Sequence, residues 1–308
     1  MEIIKTYGNG NPAFVYVAKI GDNEKHLIEL VESKDPYQNE RDKYVFNIST
    51  QIGCPVGCKM CDTGKYYYRN LSAFEILEEI NFLLNRKYPD SKINTKKFKI
   101  HFARMGEPSL NNNVLDVLEK LPNIIKRPFI PCIATTAPRN CKKFFNELLD
   151  IKNNIYTNGY FQLQFSINST DESTRDRLMP VDKFSMKEIS DFGGKWFREG
   201  DRKMDLNFAC SINSEIDTDI IAKIFNPDKF LVKLTPINET FSSKENDLVS
   251  LFEYDNNTIA EKIAKDLRKY GFEVIISIST PEELENHSSC GQAVLNYNIS
   301  KSRFVYVK

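Results

Sequence analysis

The sequence predicts an α/β fold, a partial (βα)6 barrel preceded by a small N-terminal β-hairpin extension. Three observations predict it. From Tyr44 onward, β-branched and aromatic runs alternate with longer stretches of helical periodicity, six times, in units of about 30 to 45 residues. Such alternation implies a mainly parallel sheet with right-handed crossovers. Six units are too few for an eight-fold barrel and suit an open one, whose chemistry gathers in the loops at the C-terminal strand ends. Second, the first strand of the series delivers a loop holding three of the chain's seven cysteines. Third, residues 1–43 show no helical period and read as strands and turns. The expected division is therefore an N-terminal β-rich extension, 1–43, and the barrel, 44–308.

In the extension, "PAFVYVAKIG" and "KHLIELVES" read as a hairpin with Asp22-Asn23 in its turn. The barrel opens on "YVFNISTQI", which ends at Gly53 and leads into the cysteine loop. After it, "RNLSAFEILEEINFLLNRKY" is a helix with Ser72 and Glu75 in capping-box spacing and Ile76, Ile80 and Leu83 on one face. The strands "KFKIHFAR", "FIPCIATTA", "YFQLQFSIN", "MDLNFACSI" and "KFLVKLTPI" follow. Helices over "NNVLDVLEKLPNII", "NCKKFFNELLDIKNN", "SMKEISDFGGKWFREG" (Ser185 and Glu188 as a second capping box), "DTDIIAKIF" and "NTIAEKIAKDLRKYG" separate and close them. Gly271 stops the last of these. "FEVIISIS" gives a final strand, and Thr280-Pro281 starts one more short helix. Residues 238–257 carry no clear element and form a candidate substrate-facing loop.

Composition narrows the function. Lys plus Arg and Asp plus Glu are 42 each, so no broad basic surface for nucleic acid is advertised. No apolar run reaches the roughly 18 residues of a membrane span. The N-terminus does not resemble an export signal, so a cytoplasmic location with reduced thiols is expected.

Cys54, Cys58 and Cys61 stand in C-x-x-x-C-x-x-C spacing. A structural zinc site usually wants four ligands, and an odd number of cysteines does not make a disulfide set. A third reading is an iron–sulfur cluster held by three thiolates, with one iron left open for chemistry. The residues of the loop alone leave these readings open.

The wider pattern resembles radical S-adenosylmethionine (SAM) enzymes, and within them the RlmN/Cfr family, which methylates an adenosine of large-subunit ribosomal RNA. The similarity runs from about residue 12 to about residue 292. It rests on "STQIGCPVGCKMCDTG", "YYYRNLSAFEI", "RMGEPSLN", "FSINSTDESTRDRLMPVDKF", "LTPIN" and "CGQ", in that order. The resemblance implies a 4Fe–4S cluster on Cys54, Cys58 and Cys61, with Met60 covering the cluster and the adenine. It implies Gly106 and Glu107 at the methionine ammonium, and Thr135, Ser166, Asn168 and Asn238 at the ribose and methionine carboxylate. Cys290 would carry a methyl group from one SAM; a radical made from a second SAM would take hydrogen from it, and the carbon radical would add to an sp2 carbon of an adenine-type base. Such a route serves a ring carbon too electron-poor to attack a sulfonium methyl itself. Glu29 lies where the family places an acid near the substrate, as a proton acceptor, and it also reads as an outward-facing strand residue. A reductant such as flavodoxin or ferredoxin is implied, with RNA or a nucleotide as substrate and no membrane partner.

The chain departs from the family in places. Asn47 stands seven residues before Cys54, where a second cysteine normally releases the covalent product; Cys210 or an external thiol could substitute. The family's N-terminal helical domain has no counterpart here. Asn168 replaces a histidine, and Ala134 a serine, although Thr135 and Thr136 adjoin it. Two rival expectations follow: a radical SAM reaction other than methyl transfer, and a zinc-bearing binding module without catalysis. Cys132, Cys141 and Cys210 read as structural.

Overall fold

The computed structural model describes residues 1–35, 39–126, 128–287, 289 and 291–305. It contains two compact units: Met1–Pro55 with Cys61–Pro131 and Thr280–Lys308, and Val56–Met60 with Cys132–Ser279.

The first unit begins with β1 (Glu2–Gly8), β2 (Ala13–Lys19), β3 (Leu27–Lys34) and β4 (Lys43–Ile48), paired antiparallel in that order. The β2–β3 hairpin turns where the sequence expects. The short strands β5 (Gln51–Gly53) and β6 (Tyr67–Asn70) form a separate ribbon on either side of the cysteine loop. Next come α1 (Ala73–Lys87), β7 (Lys97–Phe102), which pairs parallel to β4, and α2 (Asn113–Ile124). α1 starts on the expected capping box, with Ser72 accepting the Glu75 N–H at 3.2 Å and Glu75 accepting the Ser72 N–H at 2.8 Å. Ile76, Ile80 and Leu83 of α1 are buried, as are Phe46, Ile48, Ile100 and Phe102 of β4 and β7. Because β3 pairs directly with β4, the N-terminal strands continue the sheet of β4 and β7. The compact units therefore do not divide at residue 43.

The strand expected over 44–52 is interrupted at Ser49 and Thr50. Their N–H groups leave the ladder, Ser49 donating to the Glu79 carboxylate at 2.9 Å and Thr50 to the Met105 carbonyl at 2.7 Å.

The second unit takes up the chain within β8 (Ile130–Thr135) and continues with α3 (Lys142–Ile155), β9 (Gln162–Ser166), α4 (Glu172–Leu178) and α5 (Met186–Trp196). β10 (Met204–Cys210), α6 (Thr218–Ile224), β11 (Phe230–Pro236), α7 (Phe241–Glu245), α8 (Thr258–Lys269) and β12 (Val274–Ile276) complete it. Its strands run parallel in sequence order. Phe165, Leu206, Phe208, Val232 and Leu234 are buried on them, and Phe145, Leu148, Ile189, Phe192 and Trp196 on α3 and α5. In β10 buried Met204, Leu206, Phe208 and Cys210 alternate with half-buried residues, the period-two pattern by which a sequence displays a strand. Gly271, at φ +87°, ends α8 as expected.

α7 falls inside the segment 238–257 that the sequence leaves as a loop. α9 (Pro281–Glu285) and α10 (Gln292–Val305) return to the first unit. No described helix is long and apolar enough to cross a membrane.

Candidate active site

Two glycines of the first unit shape the approach to the cysteine loop. Gly53 has φ +81°, and a Cβ there would run into the Tyr66 carbonyl. Only glycine fits both the left-handed backbone and the close approach. Cys54 then donates its N–H to that carbonyl at 2.8 Å, closing the β5–β6 ribbon behind the loop. Gly106 has φ +100°, and a Cβ on it would sit 2.6 Å from Gln51 Cβ and 2.7 Å from Thr50 Oγ1. The turn after β7 is therefore pressed onto the residues that lead into Cys54. Its hydrogen bonds agree: the Met105 carbonyl accepts from Thr50 N at 2.7 Å and Gln51 N at 3.2 Å, and Gln51 Oε1 accepts the Glu107 N–H at 2.8 Å.

Glu107 is 3% exposed. Its Oε1 accepts from Ser109 Oγ at 2.7 Å and Ser109 N at 3.1 Å. Gln51 Nε2 donates to Asn70 Oδ1 at 2.7 Å, while Asn111 donates to the carbonyls of Thr50 and Leu71 at 2.7 and 2.8 Å. A buried carboxylate with a fixed orientation is a receptor for an ammonium group. Sequence reasoning missed Gln51, Ser109 and Asn111; the only signal was their place within the two motifs themselves.

The middle of the cysteine loop belongs to the second unit. Cys58 and Met60 pack with Ala209 against Leu178, Met179, Ile237 and Leu248. Lys59 N donates to the Leu178 carbonyl at 2.9 Å, Thr240 Oγ1 to the Met60 carbonyl at 2.9 Å, and Asn246 Nδ2 to the Lys59 carbonyl at 3.2 Å. Thr240 and Asn246 are the N-cap and C-cap residues of α7. Residues of the segment 238–257 thus hold the middle of the loop.

The remaining residues singled out by sequence lie at strand ends of the second unit. Thr135 closes β8, buried, its Oγ1 accepting the Ala137 N–H at 2.9 Å. Ser166, half-buried, ends β9 opposite Asn207. Asn238, half-buried beyond β11, offers its carbonyl to Ser243 Oγ at 3.1 Å. Asn168 is 3% exposed, with φ +64°. Its Oδ1 accepts the Ala209 N–H at 3.0 Å and its Nδ2 donates to Met179 Sδ at 3.2 Å, so both ends of the amide are engaged inside the unit.

Glu29, on β3, is fully buried, unlike the outward-facing strand residue the sequence also allowed. It accepts from the N–H groups of Gly291 and Val294 at 2.9 and 2.8 Å and pairs with Arg104 at 2.7 Å. Cys290 lies outside the described residues.

Cys54, Cys58 and Cys61 are the three thiols expected to hold a cluster, and none forms a disulfide. Among the described residues, no three Cys, His, Asp or Glu side chains converge on a single ion; a 4Fe–4S cluster asks only for one thiolate on each of three irons. Two buried hydroxyls that follow Cys61 in sequence, Thr63 Oγ1 and Tyr66 OH, have no hydrogen-bond partner among the described residues. The chemistry of the three thiols fits the cluster.

No protein-family model matches the chain. A relative described as a probable dual-specificity RNA methyltransferase RlmN, from Pseudothermotoga lettingae, is 30% identical over 266 residues, spanning 82% of this chain and 69% of its own length. Another of that description, from Petrotoga mobilis, is 25% identical over 287 residues, 90% of this chain and 76% of the relative. The crystal structure of a radical SAM methyltransferase from Sphaerobacter thermophilus superposes with a TM-score of 0.72 at 17% identity, covering 94% of this chain and 80% of that one.

With the fold shared and the three-cysteine loop in place, the protein is a radical SAM enzyme, and its cofactors are a 4Fe–4S cluster and SAM. More narrowly, the chain belongs to the RlmN family.

Proposed function

We propose that the chain methylates an adenine-type base in RNA, using a methyl group carried on Cys290. The observation that carries this reading is the seating of Gly106 and buried Glu107 on Thr50 and Gln51, immediately before Cys54. A turn so constrained serves a ligand held next to the cysteine loop. The substrate class follows from the relatives, which are described as RNA methyltransferases.

Cys54, Cys58 and Cys61 would hold the cluster, which when bound supplies the electron that splits SAM to a 5′-deoxyadenosyl radical. Glu107 receives the methionine ammonium, and Ser109 keeps that carboxylate aimed. Gly106 lets the backbone come close. The hydroxyls of Thr135 and Ser166 and the amide of Asn238 would serve the ribose and the methionine carboxylate. Asn168 contributes by holding Met179, part of the apolar patch beside Met60 and Cys58. A flavodoxin or ferredoxin supplies electrons, in a cytoplasmic setting.

The test is anaerobic incubation of cluster-loaded protein with SAM, reductant and RNA. We expect a Cys290 peptide heavier by one methyl group, together with methylated adenosine in the RNA digest. Protein that releases 5′-deoxyadenosine yet methylates neither Cys290 nor RNA would overturn the proposal in favour of another radical reaction.

A further inference from the structure

Gly291 and Gln292, which open α10, have no short oxygen-bearing side chain of the kind that usually satisfies first-turn N–H groups. An acceptor comes from a strand far away in sequence. Glu29, the third residue of β3, accepts the Gly291 N–H on Oε2 at 2.9 Å and the Val294 N–H on Oε1 at 2.8 Å. A carboxylate there also meets the positive end of the helix dipole.

A second strut fixes the same segment. Arg104 Nη2 bonds to Glu29 Oε2 at 2.7 Å and to the His287 carbonyl at 3.2 Å, and the two side chains are 3% and 0% exposed. Gly291 itself, at φ +84°, is pressed against the chain beyond Cys61: a Cβ there would lie 2.7 Å from Thr63 Oγ1 and 2.7 Å from the Asp62 carbonyl carbon. The residue that follows Cys290 in sequence therefore abuts the residues that follow Cys61.

From this we infer that Glu29 is a positioning residue, a buried carboxylate latch that with Arg104 sets His287, Gly291 and the first turn of α10 against Asp62 and Thr63. Both carboxylate oxygens are committed to that task. The consequence for chemistry rests on the methyl-carrier reading of Cys290. If the latch opens, the carrier segment loses its registry with the cysteine loop, and radical formation is uncoupled from transfer.

Glu29→Gln tests this. The amide keeps one acceptor and turns a donor toward groups that also donate. Hydrogen exchange of the Gly291 and Val294 amides should accelerate at least tenfold, while the β1–β2 amides hold their rates. Methyl occupancy of Cys290 should fall at least tenfold, with 5′-deoxyadenosine production retained. Arg104→Lys, which keeps the charge but not the fork, should give the same pattern more weakly, and it serves if Glu29→Gln does not fold.

Unchanged protection of Gly291 and Val294 in both variants would overturn the latch. A Cys290 that never accepts a methyl group in the wild type would instead remove the carrier reading and leave the exchange result standing. A Glu29 acting as the substrate's proton acceptor gives a different signature: Glu29→Gln would keep full Cys290 methylation and the Gly291 and Val294 protection while losing product formation, which would also overturn the latch.

Discussion

Gln51 and Glu107 are joined by a hydrogen bond of 2.8 Å in which the side-chain Oε1 of the first accepts the backbone N–H of the second. Gln51 is fully buried, and its Nε2 is bonded to Asn70. The bond sets where the acid sits relative to the strand that ends at Cys54. Gln51→Leu keeps the volume and removes the acceptor, leaving a buried N–H unsatisfied. We expect SAM affinity to weaken about tenfold, which corresponds to about 1.4 kcal/mol, with the visible absorption of the cluster unchanged. Calorimetric titration of the loaded protein with SAM measures it.

Gly106→Ala addresses the same turn from the backbone. At φ +100° an L residue is strained, and the added Cβ meets Gln51 and Thr50 at 2.6–2.7 Å. Neither neighbour can retreat freely, since Thr50 N and Gln51 N are both bonded to Met105 O. The variant should lose about 1–3 kcal/mol of stability and most SAM binding, as read by denaturant unfolding and by titration.

Much of this architecture is legible in local signals. The capping boxes at Ser72 and Ser185 and the terminating Gly271 are contacts within a few residues, and each is where the sequence places it. What escapes the sequence depends on distant partners. α10 is hidden because its cap, Glu29, is more than 250 residues away. The break at Ser49–Thr50 is hidden because the acceptor is Glu79 on a later helix. α4 is hidden because "ESTRDRL" is mostly polar, while Arg175 on it is fully buried, donating to the Ile167 and Phe184 carbonyls. At the site, residue types were readable but not their direction: Asn168 offers hydrogen-bonding groups in the sequence and spends them on Ala209 and Met179 in the fold.

Glu79 gives the chain a pH signature. Its carboxyl is fully buried, Oε2 accepts Ser49 N, and Oε1 has no partner among the described residues. Burial pushes its pKa well above the ordinary value of 4.5. The folded state therefore holds a proton that the unfolded chain releases. Glu79 contributes its full stability below the unfolded pKa and loses it as pH rises toward and through the raised folded value. Glu79→Gln keeps the acceptor for Ser49 and removes the titration. It should stabilise the protein at neutral pH by removing the cost of burying or protonating the carboxyl, a gain that the amide's own unpartnered N–H groups limit to about 1 kcal/mol. The gain should shrink as pH falls below the unfolded pKa, and urea unfolding across pH shows whether it does.

Asn47 bears on how product leaves. Cys210 does not suit the role of a substitute thiol: it is fully buried in β10, it donates to the Phe208 carbonyl at 3.3 Å, and burial pushes the thiol up to about 12. Thiolate, not thiol, is the nucleophile, so Cys210→Ala should leave product release unchanged and Cys210 should resist alkylation in the folded protein. Position 47 is better placed. Asn47 pairs with Val31, so it shares a sheet face with Val31 and with Glu29, the residue bonded to Gly291 and Val294. In Asn47→Cys a thiolate would attack the Cys290 sulfur; the electrons of the sulfur–carbon bond would leave with the substrate carbon, which takes a proton from water to become the methyl group, and a disulfide would form. We therefore expect wild-type protein to accumulate RNA crosslinked through Cys290, and Asn47→Cys to clear that crosslink and raise turnover at least tenfold once a reductant recycles the disulfide. Gel analysis of the nuclease-treated complex reads both, and equal release by wild type and variant would show that this chain ends its reaction without a thiol at 47.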